Sequence, residues 1–210
     1  MTGHDGLFIA FEGGDGAGKS TQVRLLADAL RARGREVLTT RQPGGTELGA
    51  AIRELVLHGD HVSPRAEVLL FAADKAHHVD QLVRPALDRG EVVITDRYVD
   101  STLAYQGAGR DLDVADVELV ARWATHGLRP HLTVVLDLEP SDGHSRFEGR
   151  DRIEGEPEEF FTRVRQAFLD LAAADSDHYL VLDARRSPEE IAGRVAAEVA
   201  PLLDHARRKT

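Results

Sequence analysis

Phe11-Glu12-Gly13-Gly14-Asp15-Gly16-Ala17-Gly18-Lys19-Ser20-Thr21 fits the pattern G-x-x-x-x-G-K-[ST], and its flanks decide the fold. Before it, Leu7-Phe8-Ile9-Ala10-Phe11 is an apolar run that reads as a buried strand. After it, Val23, Leu25, Leu26, Ala29 and Leu30 recur at near-helical spacing with charges between them. Strand, glycine loop and helix together are the context a phosphate-binding loop needs, whereas a glycine turn before an ordinary helix needs none of it. The glycines let backbone N–H groups turn inward, the helix N-terminus adds its positive dipole end, and Lys19 supplies a mobile charge. Lys19 is one of only three lysines, with Lys75 and Lys209. Gly13, Gly14, Asp15, Gly16, Ala17, Gly18, Lys19, Ser20 and Thr21 are therefore the candidate binding residues for a nucleoside triphosphate.

Working outward, further short apolar or β-branched runs are Val37–Thr40, Val92–Thr95, Leu132–Leu136 and Tyr179–Leu182, the signature of parallel strands covered on both faces. Helical patterns separate them. Ser63-Pro64 opens one helix with an N-cap and a first-turn proline, and Ser187-Pro188-Glu189-Glu190 opens the last with a capping box. The alternation predicts an α/β fold: a doubly wound sheet of about five parallel strands flanked by helices, ligands meeting the carboxyl ends of the strands. The glycine loop, Arg41 and Asp96-Arg97 all fall at that edge. No internal repeat or linker interrupts the chain, so residues 1–210 read as one domain.

Composition bounds the function. At 210 residues and 42% hydrophobic content the chain can bury a proper core. A net charge of −10 argues against a general nucleic-acid binder. Without cysteine there is no disulfide or thiol chemistry, and no segment approaches the ~18 uninterrupted apolar residues of a membrane span. A cytoplasmic protein without membrane or nucleic-acid partners is expected. His58/His61 and His77/His78 have ligand-like spacing but lack a matching third ligand.

A phosphate loop alone fits a transport ATPase, a GTPase or a kinase. Asp96-Arg97-Tyr98-Val99-Asp100-Ser101-Thr102-Leu103-Ala104-Tyr105-Gln106 narrows the choice. A carboxylate ending a central strand beside the loop can hold a Mg²⁺ shell with Ser20, and Arg97 offers a planar fork for a phosphate. Ser101 and Tyr105, four apart, share a face if the segment is helical.

This block, Asp96-Arg97-Tyr98-x-x-Ser101-x-x-Ala104-Tyr105-Gln106, resembles the signature of the thymidylate kinases. The phosphate loop, Arg41-Gln42-Pro43-Gly44-Gly45-Thr46, Leu69-Leu70-Phe71-Ala72-Ala73-Asp74-Lys75 and Gly127-Leu128-x-Pro130 resemble further family blocks, in order and over essentially the whole chain. The resemblance implies transfer of the ATP γ-phosphoryl group to thymidine 5′-monophosphate (dTMP), with Mg²⁺, in a homodimer. It implies Lys19, Asp96, Arg97 and Arg150 as catalytic, with Ser20 and Asp96 serving the metal. Asp15, Arg53, Phe71, Lys75, Arg97, Ser101, Tyr105 and Gln106 would bind the acceptor: Asp15 at the sugar 3′-hydroxyl, Arg53 and Arg97 at its phosphate, Phe71 stacked on thymine. Lys75, Ser101 and Gln106 would approach the base, and Tyr105 would crowd the 2′ carbon. By its own position Phe71 reads as core. A mobile lid of the bacterial kind is expected over about 141–156, supplying an arginine from among Arg146, Arg150 and Arg152, with Arg150 preferred.

The chain departs from the pattern in four places. The lid is shorter than usual for the bacterial group and lacks its denser arginine run, Gln42 stands where a glutamate is usual, Lys75 where an arginine is usual, and His131, read as structural, where an aspartate is frequent. Glu118, Val120 and Trp123 lie on a helix whose apolar face serves core or subunit contact. The alternatives are a kinase for another nucleotide or nucleoside, and a regulatory nucleotide-binding paralogue with little turnover.

Overall fold

The computed structural model describes residues 6–110, 112–144 and 151–207. Its centre is a five-stranded sheet in the order β2-β3-β1-β4-β5, with every described pairing parallel. The strands are β1 (Leu7–Gly13), β2 (Val37–Arg41), β3 (Val92–Asp96), β4 (Leu132–Asp137) and β5 (Tyr179–Asp183). Each expected run is a strand, extended by one or two residues at its carboxyl end: Glu12-Gly13, Arg41, Asp96, Asp137 and Asp183. Hydrophobicity fades in β2 to β5 because the backbone ladder continues to Arg41, Asp96, Asp137 and Asp183, which are partly or fully exposed, whereas in β1 Glu12 turns polar while still buried. This polar fringe is the edge on which the site is built.

Helices cover both faces. On one, α1 (Lys19–Arg31) and α9 (Pro188–Arg207) pack over Ile9, Phe11, Val134 and Leu136. The buried stripe of α1 is Lys19, Gln22, Val23, Leu26, Ala27 and Leu30; Ala29, expected on the apolar face, is exposed because the stripe lies one residue round the helix. The other face carries α2 (Glu47–His58), α3 (Pro64–His78), the short α4 (Arg84–Asp88) and α5 (Val99–Thr102), α6 (Val114–Ala124) and α8 (Glu158–Ala174). The short α7 (Pro140–His144) follows β4.

Two π-helical turns, Val79–Val83 and Leu103–Gly109, continue α3 and α5. Ser187 makes the full capping box, its N–H donating to Glu190 Oε2 (3.0 Å) and its Oγ accepting the Glu190 N–H (3.2 Å). Ser63 precedes Pro64 as expected but makes no side-chain cap bond. His131 is structural: its Nδ1 accepts the Phe8 backbone N–H (2.9 Å) and its own backbone N–H donates to Phe8 O (2.8 Å), tying the entrance of β4 to β1. Tyr98 sits edge-on to Phe8 at 5.0 Å and donates its hydroxyl to Leu128 O (3.1 Å), which links the Asp96-Arg97-Tyr98 and Gly127-Leu128 blocks.

Candidate active site

The phosphate loop leaves β1 through Gly13, whose φ of 129° and closeness to β4 both demand glycine: a Cβ there would lie 2.4 Å from Leu136 O. Gly18, at φ 90°, starts α1. Lys19 folds back over the loop, donating to Gly13 O (3.1 Å) and Gly14 O (2.7 Å). Burial, reinforced by the nearby Arg97 charge, lowers its ammonium to about 8. Ser20 Oγ donates to Asp96 Oδ2 (2.7 Å) across the β1–β3 boundary, so the expected metal ligands already adjoin. A hydroxyl beside a carboxylate at the loop suits a hard divalent cation that keeps most of its water.

Arg97 holds the centre. Its backbone is left-handed, φ 67°, at the point where β3 hands over to α5. Nη1 donates to Gly13 O (3.0 Å) and Ser101 Oγ (3.0 Å); Nη2 donates to Asp15 Oδ1 (2.6 Å) and Tyr105 Oη (3.2 Å). Tyr105 in turn donates to Asp15 Oδ2 (2.9 Å). Ser101 and Tyr105 do share one face, since both reach the same guanidinium. Burial alone would raise the Asp15 carboxyl; Arg97 and Lys19 instead hold it well below the ordinary aspartate range.

Two cavities meet at this arginine. One, about 380 Å³, is lined by Gly16, Gly18, Lys19, Ser20, Thr21, Arg41 and Asp96. The other, about 100 Å³, is lined by Phe71, Lys75, Ser101, Tyr105 and Gln106, with Leu57, Thr102 and Ile153. Asp15, Gln42, Arg53, Arg97 and Glu154 belong to both. Every residue expected at the acceptor thus lines the smaller cavity. Of the loop residues expected to bind ATP, Gly13, Gly14 and Ala17 do not line the larger cavity: the first two turn their carbonyls to Lys19, and Ala17 turns into the core. Phe71 is at once wall and core: 7% exposed, it packs with Ile52, Tyr105 and Phe160 while facing the cavity. The Lys75 ammonium lies 5.7 Å from its ring centroid. Although the chain is acidic overall, Lys19, Arg41, Arg53, Lys75 and Arg97 gather here.

Gln42 is buried and donates its Nε2 to His78 Nδ1 (2.8 Å), while its Oε1 has no partner among the described residues. His78 Nε2 then carries the proton towards Thr40 Oγ1 (2.6 Å), and burial lowers this imidazole to about 4. An amide at position 42 matches a neutral histidine, where a carboxylate would draw a proton onto it.

The expected lid divides. Arg146 and Arg150 lie outside the described residues. Arg152 is committed elsewhere: it donates through Nε to Val56 O (2.9 Å), pairs through Nη2 with Glu67, and its backbone N–H meets Leu57 O (3.0 Å). Glu67, fully buried in the first turn of α3, also accepts from Gln106 Nε2 (2.9 Å) and Arg110 Nε (3.2 Å). Arg152 is therefore a strut tying residues 151–154 to α2 and α3. Sequence reading missed Glu67 and gave Glu12 no role; a carboxylate abutting an apolar run was the available signal in both cases.

The comparisons agree with this geometry. The family model described as thymidylate kinase matches residues 11–195. A thymidylate kinase of Clavibacter michiganensis subsp. michiganensis is 53% identical over 203 residues, covering 94% of this chain and 96% of that protein. One of Cutibacterium acnes is 54% identical over 201 residues, covering 95% and 98%. The crystal structure of thymidylate kinase from Ehrlichia chaffeensis aligns with a TM-score of 0.79 at 29% identity, covering 92% of this chain and 98% of that one. With loop, sheet and paired cavities in place, the chain belongs to the thymidylate kinase family and is a phosphotransferase.

Proposed function

We propose that this chain transfers the γ-phosphoryl group of ATP to dTMP, giving ADP and dTDP, with the nucleotides meeting at Asp15, Arg53 and Arg97. The observation that carries the reading is the junction of the phosphate-loop cavity with a second, aromatic-walled one at those side chains. ATP lies over residues 13–21 with Lys19 on its phosphates. The acceptor puts its base between Phe71, Lys75 and Gln106, its sugar against Tyr105 and Asp15, and its phosphate at Arg53 and Arg97.

A monophosphate oxygen is already anionic at neutral pH, so no general base is required. The work is in-line placement and neutralisation of two polyanions pushed together. Arg97 takes the acceptor phosphate through its Nε and by exchanging its longest bond, to Tyr105. Asp96 and Ser20 are the residues that would hold Mg²⁺, which offsets charge on the transferring phosphates when bound. Arg150 is the proposed cation arriving from the lid, since Arg152 is held by Glu67.

The proposal extends to assembly. Leu69 on α3 (61% exposed) with Leu119 and Trp123 on α6 (70% and 79%) form an apolar surface suited to a second copy of the chain. No described helix is long and apolar enough to cross a membrane, and a cytoplasmic location accords with that. The deciding experiment is an ADP-release assay with Mg²⁺/ATP across deoxy- and ribonucleoside monophosphates. Preferential turnover of dTMP is expected; turnover favouring another base would overturn the acceptor assignment. Sedimentation of the purified chain should give a dimer, lost on Trp123→Glu.

A further inference from the structure

Glu12 is the charged residue of β1, and the chemistry above gives it nothing to do. It is fully buried. Its Oε1 accepts the backbone N–H of Tyr98 (2.7 Å) and of Ser101 (3.2 Å), and its Oε2 accepts the Ser101 hydroxyl (2.6 Å). The Ser101 oxygen accepts Arg97 Nη1 at 3.0 Å. A continuous run of bonds therefore joins Glu12 to the guanidinium through one hydroxyl.

These contacts seize the turn that aims Arg97. A non-glycine residue at φ 67° is disfavoured and persists only where its surroundings over-determine it. The Arg97 N–H is fixed to Phe11 O (2.8 Å), its carbonyl accepts Thr95 Oγ1 (2.9 Å), and the next N–H, of Tyr98, goes to Glu12. Burial pushes the Glu12 carboxyl upward against the hydrogen bonds it accepts. A buried carboxylate met by two amides and a hydroxyl is a costly way to hold a turn, and a neutral side chain would be cheaper for stability alone.

We propose that Glu12 is a positioning residue that locks the Arg97–Ser101 turn, presenting the guanidinium to the acceptor phosphate from above the phosphate loop. The proposal rests on the reading of Arg97 as an acceptor-phosphate group. A carboxylate is needed because both of its oxygens accept. In Glu12→Gln one of them becomes a donor, so the Ser101 hydroxyl must reverse and aim its proton at Arg97 Nη1, itself a donor.

The test is steady-state kinetics with ATP and dTMP on Glu12→Gln, Ser101→Ala and Arg97→Ala, alongside thermal melts. For Glu12→Gln the expected result is an acceptor KM raised about tenfold or more with lowered kcat, and an ATP KM within about twofold of the parent. Its Tm should be unchanged or higher. Ser101→Ala, which keeps the two backbone bonds to Glu12, should move the acceptor KM the same way but less. A folded Glu12→Gln with an unaltered acceptor KM overturns the proposal. So do equal losses for both substrates accompanied by a lower Tm, the mark of a purely structural residue. Should Glu12→Gln fail to fold, Ser101→Ala decides alone, an unaltered acceptor KM refuting the relay. An Arg97→Ala variant with normal acceptor KM would instead defeat the reading of Arg97, a separate failure.

Discussion

Replacing Glu67 with glutamine should cost this protein a large part of its stability, and the structure sets the size. Glu67 has no exposed surface and faces two guanidinium groups, Arg110 and Arg152, besides Gln106. The Glu67→Gln amide can still accept from one partner but presents N–H donors to the other. Removing one member of a buried ion pair typically costs 3–5 kcal/mol; the Arg110 and Arg152 side chains keep 15% and 18% exposure, so water relaxes part of the loss, leaving about 3 kcal/mol. For a domain of this size that is a fall in Tm of roughly 6–12 °C. Calorimetry at pH 7 measures it, with exposed Glu159→Gln as the control. Acid titration adds a signature. Burial alone would raise the Glu67 carboxyl, but bonds from Arg152, Gln106 and Arg110 hold it below the ordinary glutamate value. A depressed folded pKa contributes stability that is present above the unfolded value and lost as pH falls through the folded one. The gap between parent and variant should therefore be full at pH 7 and close below pH 4.5. A melting loss of under about 2 °C at pH 7 would refute the claim that this network is a strut.

Asp100→Asn tests the neighbouring carboxylate. Burial, with the Glu12 charge behind it, pushes the Asp100 carboxyl up to about 7. A raised folded pKa contributes stability below the unfolded value that disappears as pH rises through 7, so the stability of the parent relative to Asp100→Asn should fall by about 2 kcal/mol between pH 5 and 8. Taking the difference cancels the opposite slope of His78, which both proteins share, and urea midpoints that differ by the same amount at both pH values would sink the assignment. Lys75→Arg should raise the kcat/KM ratio of dTMP over deoxycytidine monophosphate by about tenfold, the worth of one directed hydrogen bond at the base edge. An unchanged ratio would remove Lys75 from base selection. Arg150→Ala should lower kcat about 10³-fold with little change in Tm, while Arg152→Ala lowers Tm; the reverse pattern would exchange their roles.

How far the chain could be read beforehand follows from the range of the interactions involved. Strands β1 to β5 were legible because each is a short apolar run, a local property. The phosphate loop was legible because its glycines answer to backbone geometry that any ligand of this class imposes. Partnerships across the chain were not. Nothing near Arg152 announces that its carboxylate lies 85 residues away, so it reads as one more lid arginine until the fold brings α3 beneath it. The π-turns have no side-chain periodicity of their own, yet Leu103–Gly109 carries Tyr105 and Gln106 into the cavity. Phe71 exposes a limit of a different kind. Core and binding wall use the same apolar side chain, and only a cavity on its far side separates the two.

Finally, the four N–H bonds of the Arg97 fork are all made to the protein itself: to Gly13, Ser101, Asp15 and Tyr105. An idle guanidinium in a positive cleft collects whatever anion the solvent offers. Here four of the five N–H groups are committed, so inorganic phosphate, sulfate or chloride meets at most Nε and must break a bond that it cannot replace elsewhere to gain a second. A nucleotide can make the exchange because its base and sugar bring further contacts to the same cavity. Arg97 should therefore stay responsive to acceptor concentration in a salt-rich solution, a form of selectivity that precedes any reading of the base.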